Sequence, residues 1–306
     1  MQLQKQLAEE KKTRFRRNCG ESKFIGLMFV LPWLIGFVCF KAGPLVMSMV
    51  LSFTKYNVIA SPRWIGFDNY RNMFSDPDFW TAANVNIQYV LMTVSLRLSF
   101  ALFIAYVLTS NVRFIGLFRS MYYIPSLMGG NVAIAILWRY LFLKDGLINS
   151  ILGIFGVAPI AFFSGDFSSL AIISLLHVWQ FGATMVIFLA ALKGVPKSLS
   201  EAALVDGAKR SRIFFSITLP YISPVIFFNL MTNMVTAFQE FNSAFMVTNG
   251  GPGKATTLMS LLIYNNAFKF LKMGYSSALS VILFLAIVTV TLILFATSRR
   301  WVNYQD

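Results

Sequence analysis

The amino-acid sequence predicts an all-α membrane protein with six transmembrane helices. Three observations predict this class. Hydrophobic residues make up 57% of the 306 residues, whereas charged residues make up only 12%. Apolar runs longer than about 18 residues recur, and a helix of that length crosses a ~30 Å hydrocarbon core because it rises ~1.5 Å per residue. The short alternating segments that are typical of a transmembrane β-barrel do not occur in the sequence.

The first element is a basic, polar segment, residues 1–23, which we interpret as a cytoplasmic tail. The apolar run after it, 24–53, is longer than a signal-peptide core and lacks a clear small-residue cleavage site, so we expect an uncleaved first span. Because this run exceeds the length that a bilayer requires, it should tilt, or its end beyond Pro44 should leave the bilayer. Cys19 and Cys39 form neither a metal-binding nor a disulfide pattern.

Five further apolar runs complete a membrane domain over 24–300, and a short tail, 301–306, follows it. These predicted spans are 85–109, 121–143, 169–192, 222–247 and 276–297. Six spans place both termini on one side, and on that basis the terminal side carries 16 Lys and Arg residues against eight on the other. Basic residues favour the cytoplasmic side. We therefore expect both termini in the cytoplasm, and we attribute the net charge of +14 to this bias rather than to nucleic-acid binding.

One charged stretch, EAALVDGAKRSRIFFSITLP over 201–220, lies between two apolar spans in a predicted cytoplasmic loop, 193–220. Ser198 and Glu201 fit a capping box, which would start a helix. Gly207 interrupts a surface of small residues and allows a bend or a close approach. The stretch is predicted to be a short amphipathic helix, either a solvated connection or a surface offered to a partner.

The spacing within this stretch resembles the EAA loop of permease subunits in binding-protein-dependent ABC importers. That pattern is Glu-Ala-Ala, three residues, Gly, nine residues, then Ile-x-Leu-Pro, and every spacing is kept. The resemblance implies the type I ABC importer permease fold and a coupling helix seated in a cleft of an ATPase subunit. The residues it assigns to ATPase coupling are Glu201, Ala202, Ala203, Asp206, Gly207, Ile217, Leu219 and Pro220.

Other segments resemble the carbohydrate branch of that family, the maltose- and oligosaccharide-type permeases. These are WIGFDNY with DPDFW, the run from Pro125 through Trp138 to GLIN, and TNGGPGKAT followed by GYSSALS. The resemblance implies import of an oligosaccharide or sugar derivative across the bacterial cytoplasmic (inner) membrane. It also implies a second homologous permease subunit, two ATPase subunits and an extracytoplasmic solute-binding protein as partners, besides membrane lipid. A glycerol phosphate or polyol importer of the same branch, and a stand-alone secondary transporter, remain alternatives.

The sequence predicts no catalytic residues and no metal site. TNGGPGKAT is not a phosphate-binding loop, because Thr248 stands where the first Gly is needed and Ala255 follows Lys254. We therefore expect no cofactor on this chain, and we expect ATP and Mg in the partner ATPase subunits. His177 is the only histidine, which leaves no histidine cluster for a metal, and we expect it to pack or to line a cavity.

Two charged residues fall deep in predicted spans, where charges are expensive and usually face a cavity or a partner. We expect Arg97 and Glu240 to lie near each other or to line a substrate pathway; a fixed ion pair between helices is the alternative. A secondary transporter would need repeated intramembrane carboxylates, and only Glu240 qualifies. The further pathway residues are predicted as Trp179, Gln180, Asn233, Gln239 and Asn242, of which the resemblance itself implies only Gln239, together with Glu240.

Overall fold

The computed structural model describes residues 23–109 and 114–303, so nearly all of the predicted basic tail and the last three residues lie outside the described residues. The described chain is helical apart from one pair of two-residue strands. It separates into two compact units, one that ends at Leu51 and one that begins at Ser52.

The N-terminal unit is one long helical segment. It comprises α1 (Lys23–Phe37), a π-helix (Val38–Ala42) and α2 (Gly43–Leu51). The π-helical turn comes just before Pro44, whose missing N–H cannot continue the regular α-helical bonding. Residues 26–51 have a mean hydropathy of 2.0, and none of the most apolar window is buried within the structure.

The second unit begins with a small hairpin and two helices. Strands β1 (Thr54–Lys55) and β2 (Arg63–Trp64) pair antiparallel, and α3 (Asp68–Ser75) follows them. The side chain of Asn69 donates to the carbonyls of Ser52 and Thr54, at 2.8 and 2.9 Å, and so holds the hairpin against α3. The second helix, α4, spans 31 residues (Pro77–Val107) without a break.

Eleven further α-helices follow in the described part of the second unit. The first ten are α5 (Ile115–Leu127), α6 (Val132–Leu141), α7 (Leu147–Ile154), α8 (Asp166–Trp179), α9 (Gly182–Gly194), α10 (Lys197–Val205), α11 (Arg210–Ile213), α12 (Leu219–Tyr221), α13 (Ser223–Phe238) and α14 (Met259–Tyr264). The last helix, α15, is Met273–Ser298, and three π-helices lie at Phe214–Thr218, Ala244–Thr248 and Asn265–Lys269. Helix α4 packs against α8, α9 and α13, so it lies at the centre of this unit.

Three predicted spans are bent, and this corrects their prediction as continuous segments. Helices α5 and α6 meet at 103°, α8 and α9 at 50°, and the segment Arg210–Tyr221 meets α13 at 69°. Two of these bends have a local cause. Gly130 adopts a φ of +72° between α5 and α6. Pro224 lies in the first turn of α13 and cannot donate a bond to the preceding turn.

The bend between α8 and α9 lies beside a close contact between α9 and α5. A Cβ atom on Gly182 would overlap the carbonyl oxygen of Tyr122 and the hydroxyl of Ser126. Only glycine therefore lets α9 approach the backbone of α5 this closely.

The number of spans agrees with the sequence when each bent pair is taken as one span. Three helices are individually long and apolar enough to cross a membrane: residues 26–51, 77–107 and 273–298. The three bent pairs raise this number to six among the described residues. The predicted fifth span, 222–247, is shorter as a helix, because α13 ends at Phe238 and a separate π-helical turn follows.

Candidate functional site

The loop 193–220 is a helix–turn–helix rather than a single helix. Helix α10 begins at Lys197, directly after Pro196, and no side chain caps its start. The predicted capping box is therefore wrong, because Pro196 takes the N-cap position and moves Ser198 into the first turn. Helix α11 begins at Arg210 and continues through the π-helical turn to Pro220 at the edge of α13.

Gly207 ends α10 instead of interrupting a helix, which corrects a second expectation. Its φ is +77°, a left-handed conformation that glycine adopts without a Cβ clash. The N–H of Gly207 donates to the carbonyl of Leu204 at 3.0 Å, and that of Ala208 donates to Ala203 at 2.9 Å. These two bonds form a Schellman motif, which satisfies the last carbonyls of the helix. The fixed Gly of the pattern is thus the residue that sets the angle between α10 and α11.

The first half of this loop is open to the surroundings. Glu201, Ala202, Asp206 and Gly207 are exposed, whereas Ile217, Leu219 and Pro220 are half-buried where the loop joins α13. Two apolar residues at the end of α10 are also exposed: Leu204 is 53% exposed, and Val205, which belongs to the predicted surface of small residues, is 88% exposed. Sequence reasoning missed Leu204, although it precedes Asp206 in an otherwise charged stretch.

A cleft of about 540 Å³ separates this loop from the ends of α4 and α9. Tyr106, Lys193, Glu201, Leu204 and Arg210 are among its lining residues. The side of α10 that faces the cleft therefore carries Glu201, the first residue of the Glu-Ala-Ala pattern. Loop 193–220 therefore lies at the surface, with a cleft on one side and exposed apolar side chains at the end of α10.

A second group of predicted residues meets where the spans are broken. A Cβ atom on Gly129, in the α5–α6 break, would lie 3.2 Å from the Oε1 of Gln180 in the α8–α9 break. A Cβ atom on Gly130 would lie 4.0 Å from the Nδ2 of Asn242, which follows α13. The breaks of two bent segments and the turn after α13 therefore converge, and amide side chains lie between them.

The charged residues predicted to line a pathway are close to this convergence but are not paired with each other. Arg97 donates from Nη2 to the carbonyl of Gln180 at 2.8 Å. Glu240 is 8% exposed, and its Oε2 lies 3.0 Å from the Nε2 of His177. Its Oε1 accepts from the N–H and the hydroxyl of Ser243, at 2.7 and 2.9 Å. Glu240 therefore has a histidine partner that the sequence did not predict.

Arg97 and Glu240 nevertheless line one small cavity of about 10 Å³. We call five of its lining residues the polar cluster: Tyr89, Thr93, Arg97, His177 and Glu240. Sequence reasoning missed Tyr89 and Thr93. Their spacing from Arg97, four and eight residues along one helix, is a signal that could have found them.

The remaining predicted pathway residues differ in their surroundings. Gln239 and Asn242 are exposed, whereas Gln180 is buried. Asn233 donates to Thr184 at 3.4 Å and to the carbonyl of Asn229 at 2.8 Å. Trp179 lies 5.6 Å from Trp138, ring centre to ring centre, so one of its faces already has a partner. Gln239 and Asn242 are thus the amides of this set with free surface.

The Gly-rich stretch after α13 is a turn held by hydrogen bonds. The hydroxyls of Thr248 and Thr256 are 2.6 Å apart, and Thr256 also donates to the carbonyl of Gly251 at 2.8 Å. Lys254 forms an ion pair with Asp78 at the start of α4. Among residues 23–109 and 114–303, no group of three His, Cys, Asp or Glu side chains could hold a metal.

Comparison with known proteins gives consistent matches along the chain. Residues 113–304 match the family described as "Binding-protein-dependent transport system inner membrane component". The probable ABC transporter permease protein YesP of Bacillus subtilis is 43% identical, over 95% of each chain. The sn-glycerol-3-phosphate transport system permease protein UgpA of Pectobacterium atrosepticum is 33% identical, over 94% of this chain and 99% of that protein. The arabinooligosaccharides transport system permease protein AraP of Bacillus subtilis is 30% identical, over 87% and 86%.

The fold also matches solved structures. A chain of a bacterial ABC transporter involved in the import of the acidic polysaccharide alginate superposes with a TM-score of 0.79 at 20% identity, over 94% of this chain and 99% of that one. A second structure, of the bacterial alginate ABC transporter in complex with an alginate pentasaccharide-bound periplasmic protein, superposes with a TM-score of 0.76. These matches confirm the predicted ABC importer permease fold. The chain belongs to the family of inner membrane components of binding-protein-dependent transport systems, as a permease of the ABC type.

Proposed function

We propose that this chain is one of two permease subunits of a carbohydrate importer in the bacterial cytoplasmic membrane, and that it forms half of the pathway. The family and the relatives support an importer permease. AraP, a relative named for arabinooligosaccharides, supports a sugar as the substrate class. A stand-alone secondary transporter is set aside, because the family works in binding-protein-dependent systems.

The observation that carries the proposal is the form of loop 193–220. Helix α10 ends in the bare apolar side chains of Leu204 and Val205, which need a partner surface to leave water. The loop then connects to α13 through the π-helical turn and Pro220. A subunit that pushed on α10 would therefore displace α13, and rigid-body displacement about a central site is a common transport motion.

An importer of this kind requires partner subunits. Two ATPase subunits bind ATP and Mg and contact α10, while this chain binds no cofactor and hydrolyses no ATP. A second homologous permease forms the other half of the pathway, and a solute-binding protein docks at the outer face. Family membership supports the binding protein as a partner.

The pathway in this chain runs past the convergence of broken helices. Gln239 and Asn242 have free amide groups there, and Gln180 lies beside them. Amides offer both donors and acceptors, which sugar hydroxyls require. Broken helices near a transport site supply such groups without leaving backbone unpaired in lipid. This arrangement supports a polyhydroxylated substrate.

Reconstitution of the whole assembly tests the proposal. The chain is co-expressed with its ATPase, second permease and solute-binding protein, and ATPase activity is measured in lipid with a panel of sugars and with glycerol 3-phosphate. We expect a sugar to stimulate hydrolysis. Stimulation by glycerol 3-phosphate alone would favour the polyol-derivative importer, and transport by this chain without nucleotide would contradict any ABC assignment.

Val205→Asp tests the role of loop 193–220 in the same assembly. The exposed carboxylate cannot enter an apolar contact without losing its hydration, so we expect the ATPase subunits to copurify with the permease at less than about a tenth of the normal yield. Val205→Leu, which keeps the apolar surface, is the matched control. Normal copurification of the Val205→Asp assembly would show that the ATPase does not contact this side chain.

A further inference from the structure

Arg97 carries hydrogen-bonding capacity that the protein does not use. One of its five N–H groups donates to the carbonyl of Gln180. Its Nε is fully buried and has no partner with hydrogen-bond geometry. Among residues 23–109 and 114–303, no carboxylate oxygen lies within 4.0 Å of its guanidinium. A cation in the middle of a membrane helix without a counter-charge is expensive, so its retention needs an explanation.

Glu240, the carboxylate among the residues that line the small cavity, does not provide that explanation. Both of its oxygens already accept from the protein, one from Ser243 and the other from His177. The carboxylate is therefore tied to α8 and to the turn after α13. Both oxygens of Glu240 therefore have hydrogen-bond donors, whereas the guanidinium of Arg97, in the same cavity lining, has a buried N–H group without an acceptor.

Two further polar groups lie on the same face of α4. The hydroxyls of Tyr89 and Thr93 are buried, with exposed fractions of 0% and 3% for the residues. Neither has a partner with hydrogen-bond geometry, and the Tyr89 hydroxyl lies close to the side chains of Thr93 and Ser243. Both residues line the cavity with Arg97, one and two helical turns away from it. An oxyanion could accept from the guanidinium and from both hydroxyls. Charge-assisted bonds of this kind are among the strongest that a protein forms.

The cavity in this structure is too small for such a ligand. Its volume of about 10 Å³ corresponds to one water molecule at most. The walls, however, come from α4, α8 and α13, and the latter two belong to bent segments. A shift at these bends would widen the cavity while α4 keeps Tyr89, Thr93 and Arg97 in line.

We propose that Arg97, with the hydroxyls of Tyr89 and Thr93, binds an oxyanion of the transported molecule, so that the substrate is an acidic carbohydrate with a carboxylate group. The inference rests on the proposed function and names its substrate class. A phosphate would offer the same oxygen chemistry, and the experiment distinguishes the two. The guanidinium of Arg97 also donates to the carbonyl of Gln180, so the test must separate substrate binding from this structural hydrogen bond.

The experiment uses the whole assembly with its own solute-binding protein in lipid. Stimulated ATPase activity is measured with a uronate trisaccharide, the neutral hexose trisaccharide of the same linkage, and glycerol 3-phosphate. We expect the uronate to stimulate hydrolysis at least about tenfold more than the neutral sugar, the size of effect typical of a charged hydrogen bond. Equal or greater stimulation by the neutral sugar overturns the inference but leaves the carbohydrate importer intact.

Substitutions of Arg97 then test whether this residue causes the stronger stimulation by the uronate. Arg97→Gln removes the charge and, because its side chain is shorter, also the bond from Nη2 to the carbonyl of Gln180. We expect it to lower stimulation by the uronate about tenfold or more. Arg97→Lys keeps the charge and should retain most of the stimulation. Arg139→Gln removes an exposed guanidinium and should behave as wild type. Melting curves of each purified assembly identify variants that are merely unfolded.

The outcomes separate the inference from the proposed function. Stimulation by glycerol 3-phosphate alone, abolished by Arg97→Gln, contradicts the carbohydrate substrate but supports oxyanion binding by Arg97. A normal response of Arg97→Gln to the uronate overturns the inference. An Arg97→Gln assembly with a lower melting temperature and an equal loss with every ligand overturns it as well, because Arg97 would then only hold the broken helix.

Discussion

Gly207 and Gly182 show how single residues shape this protein for two different reasons. Gly207 supplies a positive φ that ends α10, so its role is conformational. Gly182 supplies room, because any Cβ there would overlap the backbone of α5. The first role is encoded locally and the second depends on a neighbouring helix, which is why only the first has a recognisable pattern in the sequence.

Gly207→Ala should weaken coupling without unfolding the membrane domain. A Cβ at a φ of +77° costs about 1–2 kcal/mol, so the Schellman turn would reorganise and change the angle between α10 and α11. We expect a several-fold loss of ligand-stimulated ATPase activity in the reconstituted assembly, with a nearly unchanged melting temperature.

Gly194→Ala is the matched control for that variant. Gly194 lies in the same loop, its φ is negative, and a Cβ there meets no atom within 4 Å. It should therefore behave as wild type. Equal activity of the Gly207→Ala and wild-type assemblies would mean that the turn angle is not used in coupling.

Glu240→Gln should lower both stability and uptake. The substitution replaces one of the two carboxylate oxygens by an NH2 group, so either His177 or Ser243 loses its acceptor, and a buried donor left without a partner costs about 1–3 kcal/mol. The measurements are the melting temperature in detergent and uptake in vesicles. Asp68→Asn is the control, since its carboxylate is exposed and lies 4.0 Å from Arg71. Lower stability with unchanged uptake would restrict Glu240 to holding helices together.

At this scale the sequence predicted the residues better than their partners. Arg97 and Glu240 could be predicted as functional residues because a charged residue inside an apolar run is evident from the sequence alone. The histidine partner could not be selected, since His177 and Glu240 are brought together only by the packing of α8 and the turn after α13. The roles assigned to Trp179, Asn233 and the other pathway residues stay predictions.

At the scale of helices and loops, composition predicted where the apolar segments lie but not where they bend. Hydropathy averages over about a full span, so it does not register a break of two or three residues. The Gly129–Gly130 pair between α5 and α6 is a helix-breaking signal in the sequence. The break at Gln180 lies beside the close contact of Gly182 with Tyr122, which the local sequence does not indicate. The span limits from sequence were accordingly less accurate than the span count.

Gly182→Ala should destabilise the contact between α5 and α9. The added methyl group would force the backbone of Tyr122 away, and overpacking of this kind costs about 1–3 kcal/mol. We expect a lower melting temperature of the purified assembly in detergent. Gly116→Ala, on α5 with open space around it, is the control and should melt as wild type. An unchanged melting temperature for Gly182→Ala would mean that the two helices can separate without loss.

For the whole molecule, the described residues support six spans, and an even number predicts both termini on one side. The excess of Lys and Arg on that side predicts the cytoplasm. Reporter tags at either end should therefore be inaccessible in intact spheroplasts and become accessible after lysis. A tag after residue 60, in the loop that follows the first span, is the control and should be accessible from the outside. Opposite accessibility of the two termini would require an odd number of spans.

The overall architecture was predictable because membrane proteins allow few alternatives. Every backbone group in lipid needs an internal partner, so long apolar runs must be helical. The fixed spacing of the Glu-Ala-Ala pattern then identified the family, which the comparisons confirm. What the sequence did not contain is the convergence of the two helix breaks and the turn after α13, because it depends on three segments that lie at least 50 residues apart along the chain.

Helix α4 has no break, and this has a mechanical consequence. Its 31 residues give a rod about 46 Å long. One end is anchored by the ion pair between Asp78 and Lys254, and the other borders the cleft beside loop 193–220. An unbroken helix moves as a rigid body, so a displacement of either end of α4 also displaces Arg97. The neighbouring bent segments can change their angles to accommodate that displacement.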